Sequence, residues 1–134
     1  MSIYSQIRAA LELKLSEITS VPFIQYENTP YNPTTGEPFL TCQLLPTSRN
    51  PAVVGYNPPQ RYQGIFTVLV YTPENKGPKA NQDLCDLIIQ DFDATTDLLF
   101  GGVFTRIQRA EQRVSNKNSP WFITPIDISW YAYE

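Results

Sequence analysis

Five aspartates, Asp83, Asp86, Asp91, Asp93 and Asp97, fall in a segment from Ala80 to Thr105 that holds no lysine or arginine. Three of them lie in "DFDATTD", a spacing that could gather carboxylates around a hard divalent cation. An EF-type loop counted from Asp91 needs glycine at its sixth position and glutamate at its twelfth, and the chain offers Thr96 and Gly102 there. The acids therefore read first as the solvated face of a helix, with a small metal-dependent enzyme as the competing reading. The chain has no histidine, which removes Ser–His and Cys–His nucleophile pairs and the commonest metal ligand. Cys42 and Cys85 stand far apart in apolar stretches and read as small buried hydrophobes, not as a disulfide or a thiolate zinc site. "FGGVF" is a lone Gly-Gly turn, and "NPTTGEP" lacks the lysine of a phosphate-binding loop. No enzyme activity, metal or cofactor is expected.

The bulk composition agrees with a binding or structural role. The 134 residues suffice for one domain, 1–134, which needs no staple to fold. A net charge of −3 and no clustered basic patch argue against nucleic acid as the main partner. Arg106, Arg109 and Arg113 come closest to a cluster and read as a mixed, solvated strand face. The N-terminal stretch is broken by Arg8, Glu12, Lys14 and Glu17, so it does not read as a secretion signal. No apolar run approaches the ~20 residues of a membrane span, and a cytoplasmic origin is expected.

Spacing then places the elements. Ile3, Ile7, Ala10, Leu11, Leu15 and Ile18 mark one face of a first helix, capped by Ser2 and stopped by Pro22. Phe23–Glu27 is a short strand. Pro38–Leu45 alternates Leu40, Cys42 and Leu44 inward. Residues 46–60, with Pro46, Pro51, Pro58 and Pro59, read as an extended arm turning near Gly55. Arg61–Tyr71 is nearly continuous in apolar and β-branched residues, as in a central strand covered on both faces, and Gly64 marks a bulge or close approach. A second helix starts near Pro78–Asn81 with acids in its first turn, and carries Leu84, Leu87, Ile88 and Phe92 inward. Val103–Val114 is a polar strand at or near an edge, and "SNKNSP" a loop. Phe122–Tyr133 puts Phe122, Thr124, Ile126, Ile128, Trp130 and Ala132 on one face and Asp127, Ser129, Tyr131 and Tyr133 on the other, with Pro125 pointing to an edge. The expected fold is α+β: a two-layer domain, a mixed or antiparallel sheet of about five strands with two helices on one face, and a Pro-rich extended arm.

Twelve prolines stiffen the loops, and Tyr26, Tyr31, Tyr56 and Tyr62 lie in or beside the two long ones. Rigid loops lose less entropy on docking, and tyrosines suit interfaces, although they serve equally to pack a loop onto its own domain.

The segments "YENTPYNPTTGEPFL", "RYQGIFTVLVYTPENKGPKAN" and "SPWFITPIDISWYAY", taken in order from Ile3 to Tyr133, resemble the tail terminator (tail-completion) proteins of long-tailed bacteriophages. The resemblance implies a non-catalytic virion protein that forms a homohexameric ring, caps the tail tube, stops its polymerisation and offers a surface to the head connector or neck protein. DNA would only pass through the lumen. It implies a place at the head-proximal end of the tail, reached after assembly in the host cytoplasm. Another head–tail neck protein and a bacterial binding module are the alternatives. On this reading Tyr31, Arg49, Val53, Val54, Tyr56 and Arg61 are the candidate contacts to a neighbouring subunit or the tube, with Val53, Val54 and Tyr56 as apolar anchors.

Overall fold

The computed structural model describes residues 3–18, 22–27, 37–51, 55, 60–75, 77–92 and 97–133. Their elements are α1 (Ile3–Ser16), β1 (Phe23–Gln25), β2 (Phe39–Pro51), β3 (Gln60–Pro73), α2 (Lys79–Asp91), β4 (Asp97–Phe100), β5 (Val103–Gln112), β6 (Asn116–Asn118) and β7 (Trp121–Tyr133). All seven strands join one sheet in the order β1-β2-β3-β7-β5-β4, with β6 also paired to β7. The β1–β2 pair is parallel and the others are antiparallel. The α+β class holds, but the sheet is larger than the expected five strands.

The two additional strands come from short signals. Gly101 and Gly102, with φ of 60° and 85°, form the two-residue turn of a β4–β5 hairpin. Positive φ at both central residues suits the right-handed twist of the paired strands, and glycine adopts it freely. β6 is the polar "NKN", whose character hides a strand lying beside the start of β7.

Both helices lie on one face. A single core unites Ile7, Leu11 and Leu15 of α1 with Cys85 and Ile88 of α2, Phe66, Val68 and Val70 of β3, and Ile126, Ile128 and Trp130 of β7. The helix-spaced residues read from the sequence are those buried, apart from Ile3, Leu84 and Leu87, which are half-buried and pack against the core. Helix α1 ends at Ser16, before Pro22: the Ser16 hydroxyl donates to the Leu13 carbonyl at 2.7 Å, and the Glu17 amide donates to the same oxygen at 3.1 Å. The proposed Ser2 cap lies outside the described residues. Helix α2 has no acid in its first turn; Asp83 instead pairs with Lys79 one turn back at 2.9 Å.

Three strand expectations need correction. β3 is central, but only its even-numbered side is buried; Ile65, Thr67, Leu69 and Tyr71 are half-exposed on the other. Pro125 does not mark an edge, because β7 pairs with β3 along its whole length and with β5 and β6 on its other side. In an antiparallel strand a residue's nitrogen and carbonyl point to the same neighbour. The Pro125 carbonyl accepts from the Arg113 amide at 2.8 Å, so its nitrogen faces the gap between the end of β5 and the start of β6, where no ladder donor is needed. The supposed arm begins later than residue 46, since 46–51 continue β2 and pair with β3 as far as Pro51↔Gln60. Prolines 46 and 51 are tolerated because β1 pairs only with Phe39–Thr41, leaving the rest of β2 as an outer strand. There Glu27 takes the place of a ladder partner: its carboxylate accepts from the Leu44 amide at 3.3 Å and from Arg8 at 2.6 Å. Of residues 52–59, only Gly55 is among the described ones.

Gly64 is the close approach its position suggested. A Cβ there would sit 2.5 Å from the Leu45 carbonyl oxygen and 2.8 Å from the Trp130 ring, beside a β2 register shift between Pro46 and Ser48.

One polar side chain joins the layers. Asn81, in the first turn of α2, is buried, and its amide donates to the carbonyls of Val70 and Phe122, each at 3.2 Å, and to the Thr72 hydroxyl at 3.1 Å. Its side-chain oxygen accepts from the Thr124 hydroxyl. Helix, β3 and β7 are thus registered by one residue whose removal orphans buried groups. Asn81→Ala is expected to lower stability by about 2–3 kcal/mol, whereas Gln82→Ala, next to it on the exposed side, stays within ~0.5 kcal/mol. Urea unfolding of both variants checks this; equal effects would contradict it.

Candidate interaction face

Because the helices cover one side of the sheet, the odd-numbered residues of β3 and β7 present a second, outward face. Three regions divide it. At one end Phe39 and Tyr71 stack at 4.3 Å, and both meet Trp121 edge to face. This cluster shields itself: Phe39, Trp121 and Ile123 are buried.

The middle is an ion-pair chain across β5, β7 and β3. Arg109 meets Glu111 at 2.9 Å, Glu111 meets Arg113 at 3.1 Å, and Arg113 meets Asp127 at 2.8 Å. The Thr67 hydroxyl donates to Asp127 at 3.1 Å. The arginines noted in the sequence are a mixed strand face, with their charges matched locally.

The far end, where β7 finishes, is aromatic and open. Phe104 of β5 is 61% exposed, Leu99 opposite it on β4 59%, and Tyr133 51%. Tyr131 and Tyr133 meet edge to face at 5.8 Å. The Arg61 guanidinium lies 4.6 Å from the Tyr131 ring centre, a cation–π placement. Arg106 grips both oxygens of Asp97, at 2.7 and 3.0 Å, and its hydrogen bond holds the Asp97 carboxyl below the ordinary carboxylate range. Asp97, Phe104, Arg106, Tyr131 and Tyr133 line a concavity of about 390 Å3.

Of the residues proposed as contacts, Tyr31, Val53, Val54 and Tyr56 lie outside the described residues. Arg49 and Arg61 are near each other on adjacent strands but on opposite faces. The β2 register shift around Thr47 turns Arg49 toward the helix side, where its Nε donates to the Tyr62 hydroxyl at 3.0 Å and Tyr62 packs on Tyr4. Sequence reasoning did not single out Leu99, Phe104, Tyr131 or Tyr133. The Gly101-Gly102 turn, read as a hairpin, would have set Leu99 opposite Phe104.

The chemically suggestive groups have structural partners or are shut away. Asp91 pairs with Lys14 at 3.3 Å and Asp97 with Arg106, while Asp93 lies outside the described residues. Among the described residues no three Asp, Glu, Cys or His side chains gather to hold a metal. Burial pushes the Cys42 thiol up to about 12 and the Cys85 thiol up to about 11, so neither is a thiolate at neutral pH. No described helix is long and apolar enough to cross a membrane.

An outward face with aromatic and ion-paired regions and no reactive group suits recognition. A family model for "Phage tail terminator protein" matches residues 6–130. The chain belongs to the phage tail terminator family. It is thus a structural protein of a bacteriophage tail, related by family to tail completion. A solved structure resembles this chain at a TM-score of 0.77 and 20% identity, covering 100% of this chain and 96% of that one; it shows the fold alone. A search of curated proteins gave no match.

The Asp97–Arg106 pair gives this face a pH signature. Its contribution is full above the ordinary aspartate value of about 3.9 and fades as pH falls through the depressed one. Carboxyl carbon NMR is expected to show Asp97 titrating below that ordinary value, and Arg106→Ala to return it there. An Asp97 titration unmoved by the substitution would contradict the pairing.

Proposed function

We propose that the chain caps the tail tube at its head-proximal end, stops tube polymerisation and offers the joining surface for the head connector. It does so as a closed homohexameric ring assembled in the host cytoplasm, with DNA passing through the lumen and no catalysis. The observation that carries this reading is the family match over residues 6–130. The geometry is consistent with it. A closed ring of identical subunits needs two different patches on each copy. This chain carries a helix-bearing side with paired surface charges and an outward sheet face ending in exposed Leu99, Phe104 and Tyr133.

We place the subunit or tube contacts at the two Pro-rich loops and their bases: Tyr31, Arg49, Val53, Val54, Tyr56 and Arg61. Arg49 and Arg61, on opposite faces at the base of the 52–59 segment, would brace it from both sides. The polar α2 surface around Asp83 and Asp86 is free to face solvent or the lumen, where acidic groups would keep DNA from adhering.

Deleting Pro51–Pro58 tests the assignment. The shortened chain is expected to keep its fold and melting transition but to lose ring formation in sedimentation experiments. Intact rings from the deletion would overturn the role of the arm.

A further inference from the structure

The concavity at the Tyr133 end of the outward face has no assigned occupant. Its wall combines two mutually perpendicular tyrosines, an exposed phenylalanine and an arginine–aspartate pair. Arg106 and Asp97 satisfy each other, so the groove presents no uncompensated charge to an apolar guest. Grooves lined by aromatic rings accept proline-rich extended segments well. Proline holds the backbone near the docked geometry in advance, so little entropy is lost, and its ring lies flat against an aromatic one.

The chain itself contains a segment of that chemistry. "AVVGYNPP", residues 52–59, carries no charged side chain, two adjacent prolines, two valines and a tyrosine. It leaves the sheet at Pro51 and returns at Gln60, and Arg61 in turn pairs with Tyr133. Segment and groove therefore belong to the same end of the sheet, on different strands.

We propose that the groove of each copy receives the 52–59 segment of a neighbouring copy of this chain. Each copy donates one segment and offers one groove, which makes the contact heterologous. Such a contact propagates head to tail and closes only at a fixed number of copies. Phe104 and Tyr133 are the principal acceptor groups, and Arg61, held over Tyr131, fixes the floor. The inference rests on the ring reading above and names the surface that completes it.

Isotope-mixed photo-crosslinking tests it on the full chain. Unlabelled protein bearing Phe104→p-benzoylphenylalanine is mixed with 15N-labelled protein lacking the photo-group, and crosslinked peptides are read by mass spectrometry. The expected product joins position 104 of the unlabelled chain to residues 52–59 of the labelled one. Crosslinks confined to the unlabelled segment would mean that each copy fills its own groove, and crosslinks elsewhere or none would mean that the groove takes another guest; either overturns the proposal. Independently, Phe104→Ser and Tyr133→Ser, both at exposed sites, should keep the melting temperature yet raise the concentration needed for assembly by about tenfold. Rings that assemble normally in both variants sink the groove assignment and leave the ring reading standing. A wild-type chain that stays monomeric with and without tube protein sinks both.

Discussion

The antiparallel pairing of β3 with β7 is the constraint on which the rest depends. It runs from Arg61↔Tyr133 to Pro73↔Trp121 without a register shift. Side chains alternate strictly along it, so one choice of face for Phe66, Val68, Ile128 and Trp130 fixes every other residue on both strands. With α1 and α2 laid over that side, Ile65, Leu69, Tyr131 and Tyr133 must face outward. Asn81 fixes the helix to the same pair of strands. The outward face is thus a geometric consequence of how the core is built.

Much of this was legible in the residues. The α1 spacing from Ile7 to Leu15, the inward Leu40, Cys42 and Leu44, and the alternation of Thr124 through Ala132 report burial directly, because a one-sided element repeats its apolar residues at its own period. Gly64 was legible for a related reason, since a glycine inside an otherwise apolar strand signals crowding. The misreadings have equally local causes. Pro46 and Pro51 suggest an arm but sit in an outer strand that tolerates them, and at Pro125 what decides is the direction in which the nitrogen points. β4 and β6 are too short for periodicity to register. The site was harder still. Arg49 and Arg61 have the same parity, and by alternation they should share a face; the register shift at Thr47 separates them. The aromatic groove is assembled from β4, β5 and β7, whose adjacency depends on long-range pairing that no local pattern encodes.

The structure also balances its surface charge among the described residues. Its charges are matched in short networks on the surface, Arg109–Glu111–Arg113–Asp127 on the sheet and Lys14–Asp91 between the helices. Exposed pairs of this sort contribute little to stability. They keep the outward sheet face from presenting a single sign of charge, and its aromatic end carries exposed Leu99, Phe104 and Tyr133.

The central claim is that this chain closes into a ring that caps a tail tube. Electron microscopy of purified tail-tube protein polymerised with and without the chain, with the solution mass of the chain measured in parallel, tests it most directly. The account predicts a hexamer mass, a six-fold ring seated on one end of each tube, and no further growth from that end. Tubes that lengthen unchanged, with bare ends and the chain remaining in solution as a monomer, would contradict it.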